Sequence, residues 1–125
     1  MNKELILITL LFFLNYSSLA HGMTFKMCQK VSSELNKKTP MQINQDTYLN
    51  NTNCTSENKK PTLNYYNITE FTYIDIKSSN KMQKNIWCSN RAQKKLLKEV
   101  DVKYHYYTEK GDFLGMTFLN YSMCR

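Results

Sequence analysis

The first clear pattern in the chain is an apolar stripe. Between Thr24 and Leu35, apolar residues recur every three or four positions, at Phe25, Cys28, Val31 and Leu35. This spacing places them on one side of an α-helix, with Lys26, Lys30 and Glu34 between them. Pro40 disfavours helical geometry in the residue before it, so the helix is predicted to end in the segment 36–40.

Two further segments have regular patterns. Leu63 to Phe71 is rich in aromatic and β-branched residues, which predicts a strand. A helical region is predicted from about Ile74 to Val100, with an interruption near Trp87–Ser89. Its second part has apolar residues four positions apart, at Cys88, Ala92 and Leu96. Ser89 or Asn90 is expected to cap this second helix by accepting hydrogen bonds from its first amides.

The strongest β pattern lies near the end of the chain. Apolar and polar positions alternate from Val100 to Tyr106, which is the period of a half-buried strand. The turn 109–112 contains Gly111, a residue suited to a positive φ. Phe113 to Tyr121 is then predicted to return as the partner strand.

The remaining segments are less regular. Met41 to Tyr48 is predicted to be short and extended, and Asn50 to Pro61 is predicted to be a polar loop. Together the patterns predict an α+β domain, with two or three helices packed on a small, mostly antiparallel sheet of about three to four strands.

Residues 1–20 have the features of a secretory signal peptide. Lys3 precedes an apolar run at 5–14, and the small residues Ser18 and Ala20 follow it, so cleavage is predicted after Ala20. A retained membrane anchor is the alternative, but a spanning helix needs roughly 20 apolar residues and this run is about half as long. The rest, residues 21–125, is long enough for one domain.

The four cysteines, Cys28, Cys54, Cys88 and Cys124, form an even set in a short exported chain, which indicates two disulfides. A zinc site is the alternative, but its ligands normally include close pairs such as C-x-x-C, which are absent here. Of the three possible pairings, Cys28–Cys54 is favoured because it ties the polar loop to the first helix. Cys88–Cys124 likewise ties the last strand to the preceding helix.

Several of these elements resemble a group of small exported bacterial proteins, mostly uncharacterised. The resemblance covers nearly all of residues 21–125 and rests on the following segments: Asn36 to Pro40, Gln45 to Leu49, Tyr65 to Ile68, Cys88 with Leu96–Leu97, Val102 to Tyr106, Gly111 and Cys124. It implies the fold and export, and it supplies no catalytic residues. The pair Cys28 and Cys54 is a departure from the usual pattern of the group.

Catalytic chemistry has few candidates in this sequence. There is no H-E-x-x-H, no G-x-S-x-G and no glycine-rich phosphate loop. His21 is near the predicted new N-terminus, and His105 is on the predicted strand, opposite in phase to its tyrosine neighbours and so facing solvent or a partner. Glu70 and Asp75 are a carboxylate pair of the kind that any chain of this length contains. We therefore predict a non-enzyme that needs no metal and no cofactor, and the alternative is a hydrolase that uses carboxylates or His105.

The chain is basic, with 17 Lys and Arg against 10 Asp and Glu and a net charge of +7. The second helical region carries most of a basic cluster: Lys77, Lys81, Lys84, Arg91, Lys94, Lys95 and Lys98, with Lys59 and Lys60 nearby. Such a run is usually a solvated helix face, and the functional alternative is contact with an anionic envelope surface or an acidic protein. Nucleic acid is disfavoured by export and by the lack of a binding motif.

These features predict a small non-enzymatic binding protein, periplasmic or secreted, for example an inhibitor or immunity-type partner of another exported or envelope protein. Tyrosine is favoured at interfaces, and the candidate binding face combines strand and helix residues: Lys103, His105, Tyr107, Lys94, Lys95 and Lys98. The alternative function is an envelope-associated or virulence-related factor that acts through its basic surface.

Overall fold

Helices and strands follow the order that the sequence predicts, except that residues 50–55, predicted to be a loop, form part of a strand. The computed structural model describes residues 24–56 and 60–125, so the predicted signal peptide, His21 and Lys59 lie outside the described residues. The elements are α1 (Thr24–Asn36), β1 (Met41–Gln42), β2 (Thr47–Thr55), β3 (Thr62–Thr69), α2 (Ile76–Ser89), α3 (Arg91–Leu96), β4 (Asp101–Thr108), β5 (Phe113–Leu119) and a final 3₁₀ turn (Tyr121–Cys124). In this part of the chain, no helix is long and apolar enough to cross a membrane.

The sheet has five strands, in the order β1-β2-β3-β4-β5, rather than the three to four predicted. All neighbours are antiparallel except β3 and β4, which run parallel with Tyr65 opposite Tyr104. A parallel pair needs a long crossover, and α2 and α3 provide it. The fifth strand arises because the predicted extended segment 41–48 contains both β1, which has only two residues, and the start of β2.

The predicted polar loop was wrong in its first half, because residues 50–55 belong to β2. Asn51 and Asn53 are exposed, which explains their polarity. Thr52 is buried towards the helices, where its hydroxyl lies 2.7 Å from the hydroxyl of Ser32. Thr52 and Ser32 form a polar pair at a position where a strand residue that faces the core is normally apolar. Residues 50–55 therefore lack the alternation of apolar and polar residues that predicts a strand.

The break in the helical region falls at Asn90, one residue after the predicted interruption. Asn90 has extended backbone angles (φ −98°, ψ 120°), and its side-chain oxygen accepts a hydrogen bond from the Gln93 amide at 3.0 Å. An extended residue with such a side chain ends one helix and caps the next. Asp75 caps α2 in the same way, and its pKa is lowered by the hydrogen bond from the Ser78 amide.

The three helices pack on one face of the sheet and bury the core against it. Trp87 of α2 is fully buried, and its indole N–H donates to the Tyr104 hydroxyl at 2.8 Å. The Tyr104 ring stacks on Tyr65, with ring centres 4.7 Å apart, and burial raises its pKa well above the usual value. The other buried apolar side chains are Cys28, Val31, Leu35, Ile43, Leu49, Leu63, Leu96, Leu97, Val100, Val102 and Leu119.

A polar contact lies beside this core. Gln83 of α2 is buried, and its amide donates to the Tyr106 hydroxyl at 2.6 Å and accepts from the Thr117 hydroxyl. Burial raises the pKa of Tyr106 to about 12. Because the amide satisfies both hydroxyls, it fixes the position of α2 along β4 and β5.

Two disulfides join Cys28 to Cys54 and Cys88 to Cys124, which is the predicted pairing. The first bridge ties α1 to β2, and the second ties the end of α2 to the 3₁₀ turn. The Cα atoms of the two pairs are 6.0 and 5.2 Å apart. The first bridge therefore holds α1 on β2, and the second holds α2 to the turn that follows β5.

Candidate binding surface

The sheet face turned away from the helices is uncovered in the described part of the chain, and we call it the open face. Side chains alternate across a sheet, so the strand residues between the core positions point to this side. Strand register brings its apolar and basic members together: Tyr48, Tyr66, Ile68, Lys103, His105, Tyr107, Phe113, Met116 and Phe118. Only part of each of these side chains is buried, which leaves an aromatic surface that spans four strands.

Ring contacts order the side chains of the open face. His105 stacks on Tyr66 with ring centres 4.6 Å apart, and its Nε2 lies 2.9 Å from the Asn64 side-chain oxygen. Tyr107 packs at an angle against Phe113, with ring centres 5.4 Å apart. Phe113 is nevertheless 58% exposed. The surface therefore presents rings that are already positioned, which lowers the entropy lost on binding.

The structure brings together only half of the predicted binding face. Lys103, His105 and Tyr107 lie on the open face, in the phase that their alternation predicts. Lys94, Lys95 and Lys98 lie on or directly after α3, opposite the side that buries Leu96 and Leu97, and so belong to the helical side of the molecule. The six residues therefore do not form one surface, because the sheet separates them.

Several open-face residues were not predicted from the sequence. They are Tyr66, Ile68, Phe113, Met116 and Phe118. Their positions in the alternation of β3 and β5 are the signal that could have placed them opposite the core. The alternation alone does not show which of the two faces the helices cover.

Asparagine side chains occupy backbone groups on β2, beyond the short edge strand β1, and on the other edge strand, β5. On β2, the Thr52 amide donates to the Asn36 side-chain oxygen at 2.7 Å, and the Asn36 amide donates back to the Thr52 carbonyl at 2.9 Å. Asn36 thus makes the two hydrogen bonds that a neighbouring strand would make. On β5, the Phe118 amide donates to the Asn80 side-chain oxygen at 3.1 Å. Unpaired strand edges invite another strand, so these contacts disfavour strand addition and leave the face as the accessible surface.

Replacing Asn36 with alanine is expected to open the β2 edge. Because Asn36 is itself exposed, the expected loss in free energy of unfolding is modest, about 1 kcal/mol for its hydrogen bonds. Self-association is expected to increase, because Thr52 regains an unpaired amide and carbonyl. Denaturation measures the loss in free energy of unfolding, and light scattering measures self-association. The control is Asn50→Ala, which removes an exposed asparagine of β2. If the two variants lost the same free energy of unfolding and self-associated to the same extent, the role of Asn36 at the edge would be contradicted.

The candidate catalytic groups do not assemble into a site in the described residues. The Asp75 carboxylate is used as the helix cap, and His105 contacts the Tyr66 ring and the Asn64 amide. No group of His, Cys, Asp and Glu side chains that could hold a metal ion occurs among the residues of 24–56 and 60–125. A shallow cleft of about 400 Å³ between α1 and β2 is lined by neutral polar groups such as Gln29, Ser33 and Asn53.

Helices on one face of a mostly antiparallel five-stranded sheet, with two disulfides, define a small α+β fold. No protein-family model matches the chain, and no curated protein matches its sequence. Solved structures do share the fold. A Pseudomonas aeruginosa protein inferred to be secreted has 21% identity and a TM-score of 0.68 over 82% of this chain and 93% of its own.

Two further structures are pilotins of type II secretion systems. EpsS of Vibrio vulnificus is 9% identical, with a TM-score of 0.67 over 82% of this chain and 93% of its own. AspS of Vibrio cholerae is 10% identical, with a TM-score of 0.60 over 81% of this chain and 92% of its own. At these identities the comparison establishes the fold, and the fold is one found in small exported proteins.

Proposed function

We propose that the protein is an exported, non-enzymatic binding protein whose open face docks another exported or envelope protein. The observation that carries this proposal is the aromatic surface on an otherwise well-packed sheet. Tyr, Phe and Met are enriched where proteins bind one another, and here they lie side by side across the strands from Tyr48 to Phe113. The occurrence of the fold in pilotins and in a protein inferred to be secreted supports a role in the envelope.

The mode of binding follows from the closed edges and the ordered rings. Because Asn36 and Asn80 occupy backbone groups at the two edges, the partner is expected to contact side chains rather than extend the sheet. Tyr107 and Phe113 are the expected anchors, since large aromatic side chains at the centre of an interface carry much of the binding free energy. Lys103 adds a positive charge on the same face, which favours a partner segment with carboxylates near its apolar residues.

The test is a pull-down from envelope and culture-fluid extracts at low and high salt, with a double variant, Tyr107→Ala with Phe113→Ala. The wild type is expected to retain one stoichiometric protein at high salt, because an apolar interface is not screened by ions. The double variant is expected to lose it, since each anchor contributes about 2 kcal/mol or more when it is a hot spot.

The chain offers a matched control in Phe71→Ala with Tyr73→Ala. These two aromatic residues are 48% and 75% exposed, and they precede α2 rather than lying on the open face. The control removes the same two side-chain types and is expected to retain the partner. A partner that both double variants lose equally, or that neither loses, would refute docking on the open face.

A further inference from the structure

The opposite side of the molecule carries a second surface of different character, which we call the cationic layer. It consists of the basic residues of α2, α3 and the turn that follows: Lys77, Lys81, Lys84, Arg91, Lys94, Lys95 and Lys98. Residues 76–98 contain no Asp or Glu. The carboxylates that flank this segment are Asp75, which caps α2 and attracts Lys77, and Glu99. The ion pairs Lys37–Glu34 and Lys60–Asp101 of the described residues do not involve the layer.

The charges of the cationic layer are held on rigid elements. Lys77, Lys81 and Lys84 follow one another at helical spacing and form a single stripe along α2. The α2 helix is fixed by the buried Trp87 and by the bridge from Cys88 to Cys124. The position of the stripe relative to the sheet is therefore set by the fold.

The α3 end of the layer is similarly fixed. Arg91 and Lys95 are exposed on the side of α3 opposite the buried Gln93 and Leu96. Just beyond the helix, the Lys98 ammonium lies 5.2 Å from the centre of the Tyr121 ring in the 3₁₀ turn. The layer thus extends from the start of α2 to the end of the helical region.

We infer that the cationic layer docks the protein on an anionic phospholipid surface. A specific protein interface needs a desolvated apolar centre with anchor residues. Within residues 76–98, Met82 is the large apolar side chain that is exposed, at 46%. Headgroup phosphates, in contrast, repeat over a surface and need no such centre, and several basic residues on one rigid surface add their attractions to them. The distribution of charge therefore favours lipid over a folded protein partner.

Docking through the helices has a consequence for the open face. Because the helices and the open face lie on opposite sides of the sheet, a molecule bound through its cationic layer keeps Tyr107 and Phe113 accessible. The inference goes beyond the proposed partner binding and does not depend on it, since the two surfaces share no residue.

The experiment is co-sedimentation of the purified protein with vesicles of phosphatidylglycerol and phosphatidylethanolamine, and with vesicles of phosphatidylcholine alone. Binding to the anionic vesicles is expected at low salt, with little binding to the neutral ones. It is expected to be lost near 1 M salt, where the Debye length is about 3 Å. The triple variant Lys77→Gln, Lys81→Gln and Lys84→Gln is expected to bind about a hundredfold more weakly, because each basic residue near an anionic surface contributes about a factor of five.

The matched control removes three exposed lysines elsewhere, with Lys26→Gln, Lys38→Gln and Lys110→Gln. It has the same net charge as the test variant and is expected to bind much closer to the wild type. Equal weakening of both triple variants would overturn the inference, because net charge alone would then explain binding. Absence of binding to anionic vesicles would also overturn it, while leaving the open-face pull-down unaffected.

Discussion

Replacing Trp87 with alanine is expected to lower the free energy of unfolding by about 3–5 kcal/mol, the range for truncating a large aromatic residue in a core. Trp87 is fully buried, so the substitution leaves a cavity between α2 and the sheet. It also removes the N–H donor at 2.8 Å from the buried Tyr104 hydroxyl, which then loses a hydrogen-bond partner. Urea denaturation followed by circular dichroism measures the loss.

Two variants separate these contributions. Trp87→Phe keeps most of the ring volume but not the donor, so its loss is expected to be smaller than that of the alanine variant. Met82→Ala, on the exposed side of the same helix, is expected to change the free energy of unfolding by about 0.5 kcal/mol or less. If Met82→Ala were as destabilising as Trp87→Ala, the packing of α2 described here would be incorrect.

Removing the bridge between Cys88 and Cys124 by changing both residues to alanine is expected to cost about 4 kcal/mol of the free energy of unfolding. The bridge spans 36 positions, and closing a loop of that length restricts the unfolded chain by about this amount. Both cysteines are half-buried, so the alanine variant creates little cavity and the comparison isolates the cross-link. The free energy of unfolding of a typical domain is about 5–15 kcal/mol in total, so this loss is a large part of it.

The measurement is urea denaturation of the double variant beside oxidised and reduced wild type, each at equal concentration. Reduction of the wild type breaks both bridges and is expected to destabilise the protein more than the double variant. If the double variant had the same free energy of unfolding as the oxidised wild type, the bridge would contribute nothing to stability and the prediction would be wrong.

Local patterns predicted most of the helices and strands, and contacts between distant segments account for the differences. The helix at 24–36 and the alternation from Val102 to Tyr106 are dictated by neighbours in sequence, and both predictions agree with the structure. Within the predicted apolar stripe, Cys28, Val31 and Leu35 are buried, whereas Phe25 in the first turn is 37% exposed. The strand at residues 50–55 depends on β3 and on Asn36, which pairs with Thr52 from 16 positions away. Nothing local to that segment indicates such a contact.

The sequence also predicted part of the candidate binding surface. Alternation correctly placed Lys103, His105 and Tyr107 on one face of β4. Their neighbours Ile68 and Phe113 join them through the β3–β4 and β4–β5 registers. The parallel pairing of β3 and β4 links segments that the helical region separates, so the sequence pattern shows neither the pairing nor the face that the helices leave uncovered.

The connectivity of the disulfides bears on how the protein matures. Each bridge joins cysteines that are consecutive in the sequence, and the loops from Cys28 to Cys54 and from Cys88 to Cys124 do not overlap. An exported chain enters an oxidising compartment from its N-terminus, so Cys28 meets Cys54 before the second pair arrives. Oxidation in order of emergence therefore produces the native bridges directly, and we expect maturation to need a thiol oxidase but not a disulfide isomerase.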